Sequence, residues 1–204
     1  MNILSLQSSI SGDKSITRLL SRTYVESQKI LHPDATVVEH DLVKEDFPHA
    51  NSDLVAISLG LAHGPSATAA LSEKLIVELE QCDVLVLGAP MYNFGIPTPV
   101  KAWFDHVMRV GRTFRYVDGS PQGLLPAGKK AVVFVASGGV YSEGPGKAID
   151  FLEPHMRWLL KFIGITDVAF IRAEGLVYGQ DAAEAAIKSA REKAAEMAQS
   201  FHVS

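Results

Sequence analysis

Val84-Leu85-Val86-Leu87-Gly88-Ala89-Pro90-Met91-Tyr92-Asn93-Phe94 decides the fold of this chain. Its first four residues are apolar without interruption. A strand of that kind is buried on both faces, as in a parallel sheet covered by helices. Ala131-Val132-Val133-Phe134-Val135-Ala136 repeats the pattern. Shorter runs at Ile3-Leu4-Ser5-Leu6, Val37-Val38 and Val168-Ala169-Phe170-Ile171 read as three further strands. Between them the apolar residues step by three and four, the helical interval. Ile16, Leu19, Leu20 and Tyr24 mark a helix from Ser15 to Ile30, and Leu71, Leu75, Ile76 and Leu79 mark a second. Pro97 to Val110 reads as a helix with prolines at its entry. Ile149 to Ile163 reads as another, carrying Phe151, Leu152, Trp158, Leu159 and Phe162. An Ala-rich helix from Asp181 to Phe201, capped by Asp181, closes the chain.

Five strands alternating with helices predict a doubly wound α/β fold with helices on both faces. The expected strand order is 2-1-3-4-5. The first and third strands then lie side by side while their loops diverge, which opens a ligand crevice at the carboxyl ends of the strands. Residues 1–204 read as a single domain. The one long interruption is a hairpin-like insertion at about 111–128, with Asp118-Gly119 as its turn. It is either a plain surface excursion or an aromatic cover for a site or a second subunit.

Composition narrows the function. The chain has 204 residues, 47% hydrophobic and 21% charged, ordinary for a soluble globular protein that needs no disulfide or metal. Lys plus Arg is 19 and Asp plus Glu is 23, a net charge of −4 that argues against nucleic acid as a partner. The single Cys82 excludes an intrachain disulfide and a multi-cysteine zinc site, and reads as a core residue. His32, His40, His49, His63, His106, His155 and His202 show no metal-ligand spacing, so no metal is expected. No Gly-x-Ser-x-Gly elbow supports a hydrolase. The opening Met1-Asn2-Ile3-Leu4-Ser5 has no basic region ahead of an apolar stretch. With no membrane-length apolar run either, the expected location is the cytoplasm.

Three loops carry the chemistry. Gln7-Ser8-Ser9-Ile10-Ser11-Gly12-Asp13-Lys14-Ser15-Ile16-Thr17 joins the first strand to the first helix with five hydroxyls and a glycine. Helix-start N–H groups and hydroxyls together form an anion site, although capping alone explains one or two of them. A Walker loop fails here, because position 7 is Gln7 and Asp13 separates Gly12 from Lys14. A dinucleotide loop fails too, since Gly12 is its only glycine; Gly144-Pro145-Gly146 meets Ile149 at the sixth position. A mononucleotide phosphate fits best. The Pro- and Gly-rich stretch Gly88 to Pro99 brings a stiff backbone and aromatic faces close to a ligand. Ala136-Ser137-Gly138-Gly139-Val140-Tyr141 offers a second close approach. Together they suit a flat ring such as isoalloxazine.

Along its whole length the sequence resembles the FMN-dependent NADH:quinone oxidoreductases known as azoreductases, a flavodoxin-like family. The residues that carry the resemblance are Ala89-Pro90-Met91-Tyr92-Asn93-Phe94, Thr113-Phe114-Arg115-Tyr116, Gly138-Gly139, Phe162 to Val168 and Ala173-Glu174-Gly175. The resemblance implies that Ser9, Ser15, Ile16 and Thr17 hold the FMN phosphate and ribityl chain. It implies that Met91, Tyr92, Asn93 and Phe94 hold the ring, with Ser137, Gly138 and Gly139 closing the other side. Thr17 stands where the family often has Ser, and Ala136-Ser137 where it often has Ser followed by Arg or Gln. The implied activity is hydride transfer from NADH through flavin N5 to quinones, with reductive cleavage of azo compounds, by ping-pong turnover. No side chain acts as a catalytic residue in that scheme. Phe94 and Tyr116 are candidates to sandwich the acceptor, while Tyr116 packing within its hairpin is the plainer alternative. A homodimer is implied. The competing function is a flavodoxin-type electron carrier or FMN-binding protein without turnover.

Overall fold

Strand β1 (Asn2–Gln7) lies second from one edge of a five-stranded sheet, between β2 (Thr36–Asp41) and β3 (Val84–Gly88). The chain is described by a computed structural model over residues 1–45, 47–61 and 64–200. Phe201, and His63 and His202 among the histidines, lie outside the described residues. In chain order the other elements are α1 (Ile16–Leu31), α2 (Ser52–Ser58), α3 (Ala67–Gln81), α4 (Thr98–Val107), β4 (Phe114–Val117), β5 (Ser120–Gly123), β6 (Lys130–Ala136), α5 (Leu152–Ile163), β7 (Asp167–Ala173) and α6 (Gln180–Ser200). The sheet runs β2-β1-β3-β6-β7 with every pairing parallel, which is the expected 2-1-3-4-5 order.

The uninterrupted apolar strands divide their side chains between two cores. Leu85 and Leu87 of β3 join Leu4, Leu6, Val133 and Val135 against α3, α4 and α5. Val84 and Val86 join Ile3, Val132 and Phe134 against α1 and α6. Each fully buried Val or Leu contributes about 1.5–3 kcal/mol. On the α1 side the β1 row runs Ile3, Ser5, Gln7 and so turns polar toward its carboxyl end. The Gln7 amide donates to Ser5 Oγ at 3.1 Å. Gly88 stands beside Gln7 in the register, and a Cβ there would lie 2.4 Å from Gln7 Oε1. This polar end of the α1-side core faces the switch point.

Local geometry departs from the sequence reading in three places. Helix α4 stops at Val107, not Val110. The Thr113 hydroxyl donates to the Val107 carbonyl (2.6 Å) and accepts the Arg109 N–H (3.0 Å), which takes the chain out of the helix. Gly144–Ile149 is a 3-10 helix, and α5 begins only at Leu152, where Asp150 Oδ1 accepts the Leu152 and Glu153 N–H groups. Helix α6 starts at Gln180, so Asp181 sits in the first turn and complements the helix dipole instead of capping it. The short helix α2 carries no sequence signal long enough to show a period. The hairpin is as read: β4 and β5 pair antiparallel across Asp118 (φ 50°) and Gly119 (φ 77°). It docks on the end of α5, where a Cβ on Gly123 would come within 2.2 Å of the Gly164 nitrogen. Cys82 is buried, its thiol donates to the Leu79 carbonyl, and burial pushes its pKa up to about 11. Among the described residues no helix is long and apolar enough to cross a membrane.

His106 in α4 is buried, and its Nε2–H donates to the Pro48 carbonyl at 3.1 Å. Among the described residues its Nδ1 is buried without a partner, and a second proton there finds no acceptor among them. Burial lowers its pKa below 6.5, against the opposing pull of the Pro48 carbonyl and Asp105. Between that lowered value and 6.5 the unfolded chain binds the proton and the native one does not, so stability falls as pH drops through the window. Chemical denaturation at stepped pH is expected to show this loss as pH falls below 6.5, and H106Q is expected to make it smaller.

Candidate active site

Four loops meet at the carboxyl edge of the sheet. In the first, the Ser8 N–H and hydroxyl both donate to the Gly88 carbonyl, at 3.2 and 2.6 Å. Ser9 Oγ accepts the Ser11 N–H at 3.2 Å, and one 3-10 turn (Gly12–Lys14) leads to Ser15. Ser15 caps α1, accepting the Arg18 N–H at 3.2 Å, and its Oγ lies 3.1 Å from Thr17 Oγ1. Ser9, Ser15 and Thr17 are all buried. The first-turn N–H groups of Ile16 and Thr17 have no intrahelical acceptor, and none is formed elsewhere among the described residues. Arg18 is committed to Asp41 at 3.0 Å, and the Lys14 side chain is exposed. Neutral hydroxyls and unclaimed N–H groups at a helix start are the donor set a phosphate takes. More hydroxyls are buried here than the single cap bond requires.

The second loop is pinned across the sheet by Ala89 N–H to the Phe134 carbonyl and Met91 N–H to the Ala136 carbonyl, both 2.9 Å. Tyr92 and Gly95 then exchange two backbone bonds, at 3.3 and 3.1 Å, around Asn93 (φ 47°) and Phe94 (φ 69°). Two left-handed residues in a two-residue turn have type I′ geometry. Asn tolerates that conformation, but Phe in it costs about 1–3 kcal/mol, and such strain gathers at ligand sites. The Asn93 and Phe94 N–H groups donate to no acceptor among the described residues. The Tyr92 hydroxyl accepts the Ile10 N–H at 3.2 Å, tying the phosphate-type loop to this turn.

In the third loop the Ser137, Gly138 and Gly139 carbonyls accept from Leu176, Val177 and Gly175 of the fourth, at 3.3, 3.2 and 3.1 Å. A Cβ on Gly138 would lie 3.0 Å from Val177 Cγ1 and one on Gly139 3.2 Å from the Tyr141 ring. A side chain at either position would crowd its neighbour, and the glycines' own N–H groups have no acceptor among the described residues. Tyr141 meets the Phe94 ring edge-on, with centroids 6.0 Å apart.

The structure thus gathers Ser9, Ser15, Ile16, Thr17, Met91 to Phe94 and Ser137 to Gly139 on one edge. Tyr116 is placed differently. Its ring rests on Phe114 (5.7 Å), whose ring meets Phe162 in the last turn of α5 (4.6 Å). Phe94 instead meets the start of α5, where its carbonyl accepts the Phe151 N–H at 3.0 Å. The two ends of that helix are about 16 Å apart, and no ring contact joins Tyr116 to Phe94 among the described residues. Sequence reasoning gave no role to Tyr141, Glu174 or residues 175–177. The glycine at 175, two residues past the end of β7, was the available signal, and it takes φ 72°.

A parallel sheet with hydroxyl and aromatic loops at its switch point defines the doubly wound, mononucleotide-binding class. The Flavodoxin_2 family model, flavodoxin-like fold, matches residues 1–198, and the chain belongs to that family. Within it, the chain is 43% identical over 205 residues to an FMN-dependent NADH:quinone oxidoreductase of Hyphomonas neptunium, covering 98% of this chain and 97% of that one. It is 44% identical to a protein of the same description from Azotobacter vinelandii, covering 96% and 98%. Among solved structures, an azoreductase from Bacillus anthracis strain Sterne superposes with a TM-score of 0.89 at 29% identity, covering 98% of this chain and 100% of that one.

Replacing Tyr92 with Phe removes only the bond to the Ile10 N–H, at a cost of about 1 kcal/mol. Hydrogen exchange at the Ile10 amide is expected to accelerate several-fold while amides in β1 and β3 keep their protection.

Proposed function

We propose that this chain is an FMN-dependent oxidoreductase that carries hydride from NADH to quinones and reductively cleaves aromatic azo compounds. The observation that carries the reading is the buried hydroxyl cluster of Ser9, Ser15 and Thr17 beside the strained turn at Asn93 and Phe94. Bound FMN supplies the redox chemistry, taking hydride from the nicotinamide and giving it to the acceptor. Ser9, Ser15, Ile16 and Thr17 hold the phosphate and ribityl chain through hydroxyl and backbone donors. Met91, Tyr92, Asn93 and Phe94 hold the ring on one side, and Ser137, Gly138 and Gly139 close the other. The unclaimed N–H groups of Asn93, Phe94, Gly138 and Gly139 are fixed donors for negative charge in the site. No side chain is required as acid, base or nucleophile.

What supports an enzyme over an electron carrier is the Phe94 ring, 41% exposed at the mouth of the crevice, together with the descriptions of the relatives. A flat aromatic acceptor finds a stacking face there. The protein works as a cytoplasmic homodimer. Its lone Cys82 is a free buried thiol, compatible with a reducing compartment. Tyr116 and Val117 of the hairpin and Trp158 of α5 are exposed aromatic and aliphatic surface suited to a two-fold contact. In that pairing Tyr116 of one copy faces the crevice of the other, which answers its distance from Phe94 within one chain. The whole of residues 1–204 acts as one domain.

Apoprotein titrated with FMN is expected to bind it and turn yellow. Anaerobic NADH is then expected to bleach the colour and a quinone to restore it. A holoprotein that NADH leaves yellow is a carrier and not this enzyme. The S15A/T17A pair removes two hydroxyl donors to a charged phosphate, about 1.5–3 kcal/mol each. It is expected to weaken FMN at least tenfold and riboflavin, which lacks the phosphate, far less.

A further inference from the structure

Arg172 of β7 is nearly buried and bonded to three carboxylates. Its Nη2 reaches Asp150 Oδ2 and Glu153 Oε2, each at 2.6 Å, and its Nη1 reaches Glu174 Oε1 at 3.2 Å. Two of these partners each hold one side of the crevice. Asp150 fixes the first turn of α5 through Oδ1, and the adjoining Phe151 N–H holds the Phe94 carbonyl. Glu174 Oε1 accepts the Tyr141 N–H at 2.9 Å and the Ser142 N–H at 3.1 Å, and its other oxygen takes the Ser142 hydroxyl. Asp150 thus fixes the helix start to which the Phe94 carbonyl is bonded, and Glu174 holds the Tyr141-Ser142 end of the loop that follows Gly138-Gly139. Arg172 is the group that joins the two.

We infer that Arg172 is a positioning residue that sets the width of the slot between the Phe94 turn and the Gly138-Gly139 loop, and so the fit of the flavin ring. This rests on the flavin reading above and adds to it a residue that touches no ligand. The charges explain why the spacing depends on this one group. Arg157 pairs with Glu153 at 2.7 Å, so two guanidinium groups face three carboxylates. Removing Arg172 leaves Asp150 and Glu174, both nearly buried, repelling one another without a cation between them. Lysine keeps a charge but cannot bond several carboxylates through a rigid fork.

The test is titration of apoprotein with FMN and, separately, with riboflavin, followed by protein fluorescence. A slot defect acts on the ring, so R172M is expected to raise both dissociation constants by a common factor of about ten or more. R172K is expected to fold and to raise both by a smaller common factor. Adding E174Q to R172M keeps an acceptor for the Tyr141 and Ser142 N–H groups, removes one unpaired charge, and is expected to recover much of the loss. A merely structural role would lower the melting temperature without the matched loss for both ligands and without this recovery. R172K that binds both flavins as wild type does, or a loss confined to FMN, overturns the inference. Wild-type apoprotein that takes up neither flavin overturns the flavin reading and this inference with it.

Discussion

The carbonyl of Gly88 accepts two bonds from Ser8, one from its N–H and one from its hydroxyl, and the carboxyl edge of the sheet is organised around that contact. It requires β1 and β3 to be neighbours and parallel, with Gln7 opposite Gly88. It also requires position 88 to lack a side chain, because the Gln7 carboxamide occupies the space. Once Ser8 is anchored there, Ser9 and Ser15 are delivered buried at the start of α1. The chain leaving Gly88 is delivered to the neighbouring β6, where Met91 is held on the Ala136 carbonyl. The hydroxyl loop and the left-handed turn at Asn93 and Phe94 are thus two consequences of one strand pairing, and the Tyr92 hydroxyl bond to Ile10 joins them again further out.

Neutral donors are an efficient choice in a chain of net charge −4. Hydroxyls and helix-start N–H groups need no counter-charge when the site is empty, whereas a buried cation would. Arg18, the cation on the first turn of α1, is withdrawn into its pair with Asp41. A second set of nearly buried charges, the Arg172 cluster, is likewise internally paired, and its carboxylates accept backbone N–H groups. The hydroxyl loop thus offers uncharged donors, while the charged side chains around it are spent on ion pairs and on backbone N–H groups.

The parallel sheet was legible because Val84 to Leu87 and Ala131 to Ala136 contain no polar residue, and only double-sided burial accounts for that. The hairpin was legible because Asp118-Gly119 states its turn type in the residues themselves. Helix ends were not. Proline at the entry of α4 is a local signal, but its exit depends on the Thr113 hydroxyl folding back onto Val107. The hydroxyl loop and the Met91 to Phe94 turn were legible as contiguous segments. Arg172, Asp150, Glu153 and Glu174 were not, because they become neighbours only when β7 and the start of α5 are packed together. Tyr116 shows the same boundary. Its residue type suits an acceptor site, while its position at the far end of α5 follows from tertiary docking at Gly123 and Gly164.

The most direct measurement is a crystal structure grown with FMN. The account predicts the phosphate within hydrogen-bond distance of the Ser9, Ser15 and Thr17 hydroxyls and the Ile16 and Thr17 N–H groups, with no lysine or arginine side chain among its ligands. A phosphate gripped by a basic side chain, or a flavin seated away from the edge where β1 and β3 end, would contradict it.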